Sequence, residues 1–117
     1  MLIKAYGEYW NRAKIDWTVG VLGGRLKGKI QVNAWNQRGV YALYDHFNLV
    51  YIGQAESQDL GKRLRQHHTD RFAERWDSFS WFGLCAFDRK TSKLLDPDIA
   101  GVTETSAIRS IELVAIL

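Results

Sequence analysis

Residues 39–67 read Gly39-Val40-Tyr41-Ala42-Leu43-Tyr44-Asp45-His46-Phe47-Asn48-Leu49-Val50-Tyr51-Ile52-Gly53, a polar gap, and then Leu60-Gly61-Lys62-Arg63-Leu64-Arg65-Gln66-His67. Two short runs rich in Tyr, Val and Leu flank Asp45-His46-Phe47-Asn48, whose Asp and Asn side chains bond readily to nearby backbone and so favour a turn. The local reading is a β-hairpin. Side chains alternate between faces along a strand, which groups Tyr41 with Leu43 and, on the partner, Leu49 with Tyr51 and Gly53. Both phenols can thus share one side of the pair. Over 58–69, Leu60, Leu64 and then His67 or His68 recur at helical intervals and predict a basic helix, on which Arg63 and His67, four apart, are neighbours.

A chain of 117 residues suits one domain with a real core, and 46% hydrophobic with 25% charged residues argues against disorder. The single cysteine, Cys85, excludes an internal disulfide, and no Cys/His cluster points to structural zinc, so a reducing, cytoplasmic setting is expected. Polar residues at 6–12 interrupt any signal-peptide core and no apolar run reaches membrane-spanning length, which predicts a soluble protein with no membrane partner. Glycines at 20, 23, 24 and 28 predict a flexible connector; they lack the order of a phosphate-binding P-loop, and no small organic cofactor is expected. The net charge of +3 is uneven: residues 1–38 carry seven basic side chains against two acidic ones, while the remainder is slightly acidic. A basic lead-in on an acidic body suits contact with a polyanion; the plain alternative is a solvated basic loop.

Residues 2–17 mix helical spacing with alternation and leave their local structure undecided, although their aromatics should pack on the body. Residues 31–35 read as a short strand or an approach to the hairpin. A third strand over 78–87 is apolar on both faces, with Trp81 and Phe82 read as core in preference to base-stacking residues, and Cys85 reads as a small buried hydrophobe. A closing helix over 103–117 takes Thr103 as N-cap and sets Glu112 inside an apolar run, where a carboxylate needs a partner or a metal. The expected fold class is α+β: a small, mostly antiparallel three-stranded sheet flanked by helices.

Gly39-Val40-Tyr41, Tyr51-Ile52-Gly53 and the helical Arg63 together resemble the GIY-YIG nuclease family, over residues 37–117. Residues 1–36 form a basic, glycine-containing extension outside the resemblance. The resemblance implies a divalent-metal-dependent DNA endonuclease that hydrolyses phosphodiester bonds. Within it Tyr41 would be the general base or orient the water, Tyr51 would position the phosphate, and Arg63 would clamp developing charge. His67 would bind phosphate or share the proton transfer, and Glu112 would hold Mg²⁺ or Mn²⁺. Arg65 competes with Arg63 because the gap after Gly53 is longer than is usual in the family, and Glu104 competes with Glu112. Arg25, Lys27, Lys29, Arg38, Lys62 and Arg65 are the candidate DNA-contacting cations. The chain stops five residues after Glu112, inside an apolar run, which suggests either a domain truncated at its C-terminus or an end that packs in the core or against a second copy in a homo-oligomer. A noncatalytic nucleic-acid-binding module on the same scaffold is the rival reading.

Overall fold

β4 (Gly39–Asp45) is buried from Gly39 to Leu43, and the rest of the sheet is laid out around it. The computed structural model describes residues 2–26, 31–97, 104 and 106–108. β4 pairs antiparallel with β5 (Asn48–Ala55) on one side and with β6 (Ser78–Gly83) on the other. β1 (Ala5–Asn11) pairs antiparallel with β6, giving the order β1-β6-β4-β5. The result is an α+β fold with an antiparallel sheet of four strands, one more than expected, because the N-terminal residues supply an edge. A bulge hid that strand in the sequence: the β1 register shifts between Gly7 and Trp10, with Tyr9 at φ 52°, and breaks the two-residue period.

The glycine-rich segment is also more ordered than a connector. β2 (Gly23–Arg25) pairs antiparallel with β3 (Gln31–Asn33), held down by buried Leu22 and Val32. Lys27 and Lys29 lie outside the described residues.

β4 sends Tyr41 and Leu43 to one face, with Leu60, Leu64, Trp76, Phe79 and Trp81, and Val40 to the other, with Leu84, Ala107 and Ile108. A central strand covered on both sides must be apolar on both, as this one is. Burying each such large side chain contributes about 1.5–3 kcal/mol. β6 ends at Gly83 instead of running to 87; beyond it the Gln37 side chain stands in for a strand neighbour, donating from Nε2 to the Cys85 carbonyl (2.8 Å) and accepting the Cys85 N–H at Oε1 (2.9 Å). Cys85 is buried, as expected, and burial pushes its thiol pKa up.

The β4–β5 turn falls at His46-Phe47, both at positive φ (49° and 69°). These are the angles of a two-residue hairpin loop, here without its usual glycine. Asp45 pairs with Asn48 and Tyr44 with Leu49, but Leu43 pairs with Tyr51, so Val50 is an extra residue in β5. This bulge decides the site. A regular ladder from the same turn would set Tyr51 opposite Ala42 and on the other face from Tyr41; the bulge returns both tyrosines to one face.

α1 (Leu60–Gln66) is shorter than the expected helix and gives way to turns through Thr69. Its first amides are satisfied by the chain before β4: Leu60 N–H donates to the Gln37 carbonyl and Gly61 N–H to that of Trp35, each at 2.9 Å. Asp59 therefore makes no side-chain cap and pairs with Arg38 at 3.5 Å. Gly61 lies flat against the Trp35 indole, where a Cβ would overlap the ring. At the C-terminal end, Glu104 and residues 106–108 are helical; Thr103 and Glu112 lie outside the described residues. No helix among the described residues is long and apolar enough to cross a membrane.

Candidate active site

Tyr41 and Tyr51 meet on the α1 side of the sheet, with ring centroids 6.3 Å apart. His67, the C-cap of α1, completes a triangle with them, 5.5 Å from Tyr41 and 5.4 Å from Tyr51. Phe72 packs against Tyr51 with centroids 4.7 Å apart and rings tilted by 31°, and lies edge-on to His67 at 5.7 Å. Leu60, Leu64 and His67 are all buried along one stripe of α1, which carries the imidazole into the core.

Both ring nitrogens of His67 are bonded. Nδ1 lies 2.6 Å from Asp70 Oδ2, and Nε2 lies 2.7 Å from the Tyr41 hydroxyl. Burial works upward on the Asp70 carboxyl, but the Phe72 N–H, the His67 N–H and the charges of His67 and Arg63 outweigh it and hold its pKa below the ordinary value. An ionised carboxylate only accepts, so Nδ1 carries the proton and donates to Asp70. Burial drives the His67 pKa down against the pull of Asp70, which favours the neutral ring, and Nε2 is then the acceptor for the Tyr41 O–H. The Tyr41 pKa is itself raised, first by burial and despite the nearby charge of Arg63. Asp70 escaped the sequence reading; the available signal was its place three residues beyond His67, on a turn where local side-chain contacts are common.

A polar cleft of about 320 Å³ opens beside this core, lined by Tyr51, Ile52, Gly53, Gln54, Glu56 and Arg63. Arg63 is half-buried at its wall and donates to Gln66 Oε1 at 2.9 Å. Its charge bears on Tyr41, His67 and Asp70 alike. Arg65 instead stacks over Trp35 at 5.3 Å, so Arg63 is the arginine of the cleft. Tyr41 is fully buried and absent from the cleft lining; its phenol lies against Gly53, one layer behind the wall. A larger groove of about 560 Å³, lined by Ile3, Tyr6, Phe82 and Phe87 among others, is mostly apolar and lies on β1 and β6, apart from these groups.

Lys62 and Arg25 are exposed, whereas Arg38 is tied to Asp59. Among the described residues, Glu56 is the one carboxylate lining the cleft. One carboxylate with water completing the shell suits a hard cation such as Mg²⁺ or Mn²⁺. Asp45, His46 and Asp77 form another group with metal-ligand chemistry, all exposed at the hairpin tip. Their contacts already serve the turn: His46 Nδ1 lies 2.6 Å from Asp45 Oδ1, and the His46 backbone N–H donates to both Asp77 carboxylate oxygens at 3.3 Å. No protein-family model, curated protein or solved structure matches the chain at a significant level.

Proposed function

We propose that this chain is a DNA endonuclease of the GIY-YIG type that hydrolyses phosphodiester bonds with the help of a divalent cation. The observation that carries the reading is the meeting of Tyr41, Tyr51 and His67, drawn from three separate elements, beside a polar cleft walled by Arg63. Hydrolysis needs charge neutralisation on the nonbridging oxygens, an acceptor for the water proton and help for the departing 3′-oxygen. Arg63 supplies the first, offering a planar fork of donors to the phosphate. Tyr51, at the cleft, orients the phosphate. The water O–H bond breaks as oxygen joins phosphorus, the proton passes to Tyr41 while the phenol gives its own to His67 Nε2, and the 3′-oxygen leaves to be protonated by solvent. The Tyr41 phenol is fully buried, so the reading includes an opening movement that lets water reach it. A hard cation, which Glu56 or the Glu112 of the resemblance would hold, would supply further charge neutralisation when bound.

The complete burial of Tyr41 favours the second reading, a nucleic-acid-binding module that uses the cleft without chemistry. The two separate on incubation of supercoiled plasmid, branched DNA and single-stranded DNA with Mg²⁺ or Mn²⁺. Cutting that falls about 10²–10³-fold in Arg63→Ala supports the nuclease. No cutting, with salt-sensitive binding that survives Arg63→Ala, leaves the module.

A further inference from the structure

The buried imidazole of His67 has a second partner that hydrolysis on its own does not require. Asp70 Oδ2 holds Nδ1 at 2.6 Å, and Asp70 Oδ1 accepts the Phe72 N–H at 2.8 Å, so both carboxylate oxygens have fixed tasks. The His67 side chain is 2% exposed and that of Asp70 is 37% exposed. A continuous chain of hydrogen bonds therefore runs from a phenol behind the cleft to a carboxylate in water. The charged or titratable groups facing His67 are Tyr41 from β4, Tyr51 from β5, Arg63 from α1, Asp70 from the following turn and the adjacent His68.

We propose that Asp70 is a positioning residue: by accepting from Nδ1 it keeps His67 in the one neutral tautomer whose Nε2 can take the Tyr41 proton, and its ionised carboxylate stabilises the imidazolium that then forms. The inference rests on the hydrolytic reading for the direction of proton travel, whereas the tautomer can be observed without any cleavage. Arg63 and Tyr51 meet the DNA directly and do not depend on Asp70.

Asp70→Asn tests this with little change of shape. Its Oδ1 stays occupied by the Phe72 N–H, so the amide nitrogen replaces Oδ2 and presents a donor to Nδ1. The imidazole must then carry its proton on Nε2, and Tyr41 loses its acceptor. Long-range ¹H–¹⁵N correlation spectra of the imidazoles, recorded beside cleavage kinetics, read both consequences. Expected are Nδ1–H in the wild type, Nε2–H in Asp70→Asn, a fall in kcat of about 10²–10⁴-fold with KM unchanged, and recovery in Asp70→Glu. Nε2–H in the wild type, an unchanged tautomer in Asp70→Asn, or a switched tautomer with unchanged kcat would each overturn the proposal. Absence of cleavage by the wild type sinks the hydrolytic reading instead, and the spectra alone then decide whether Asp70 sets the His67 proton.

Discussion

Gly53 sits directly across the β4–β5 ladder from Tyr41, and the space a Cβ would occupy there is filled by the Tyr41 phenol. Replacement by alanine must push the phenol away from Gly53, a small-to-large change in a packed core that costs about 1–3 kcal/mol. Gly53→Ala should lose that much in urea unfolding and weaken the Tyr41–His67 bond. A variant as stable as the wild type would show that the ring has free room after all.

The two tyrosines should separate in their effects. Tyr41→Phe leaves Nε2 of a buried histidine without its partner and is expected to cost about 1–3 kcal/mol. Tyr51 is half-buried and its hydroxyl lies outside the Asp70–His67–Tyr41 chain, so Tyr51→Phe should change stability by less than about 0.5 kcal/mol while lowering cleavage. Equal losses of stability in the two variants would contradict this division.

That division was only partly legible beforehand. The turn at 45–48, both strands and the placing of Arg63 and His67 on one helix follow from local chemistry, and the residues that meet beside the cleft were among those singled out. The burial of Tyr41 was not, since it depends on α1 and β6 covering β4 from distant parts of the chain.

Stability should fall on mild acidification. His67 has its pKa lowered chiefly by burial, and His68 is pushed down from 6.5 to about 4 by burial and then by the charges of Arg12 and His67. Below 6.5 the unfolded chain takes up protons that the folded one refuses, so these two contributions are complete above 6.5 and are lost as pH falls towards 4. His46 runs the other way: bonding to Asp45 raises its pKa, giving stability at low pH that is lost as pH rises through the raised value. In His46→Gln the acid-side loss should therefore stand alone in denaturant midpoints. A flat profile across that window would refute it.

Arg12 should act as a structural staple. Nη1 donates to the carbonyls of Ala73 (2.6 Å) and Trp76 (3.0 Å), Nη2 donates to His68 Nδ1 (3.2 Å), and the guanidinium stacks 4.2 Å over Trp76. Lysine cannot reproduce that planar fork, so Arg12→Lys should cost on the order of 2 kcal/mol although the charge is kept. A loss below about 0.5 kcal/mol would mean that the contacts are incidental.

Metal dependence should distinguish the two acids. Chelation is expected to abolish cleavage, with Mg²⁺ or Mn²⁺ restoring it. Glu56→Gln should raise the Mg²⁺ concentration required if the cleft carboxylate holds the ion, and Glu112→Gln should do so if Glu112 holds it. Unchanged metal titrations in both would remove carboxylate-bound metal from the mechanism.

By itself the sequence determined what neighbouring residues settle: the hairpin from strand propensity and turn chemistry, the α1 stripe from its leucine spacing, and Arg63 four residues from His67. Three features were decided only by tertiary structure. The Val50 bulge places Tyr51 with Tyr41 although the turn alone would part them. β1 adds itself to β6 across more than sixty residues, where a bulge at Tyr9 erases the alternation that would announce it. The turn after α1 brings the Asp70 carboxylate within 2.6 Å of His67 Nδ1. Each depends on ladder register or close packing between separate elements, which local periodicity does not encode.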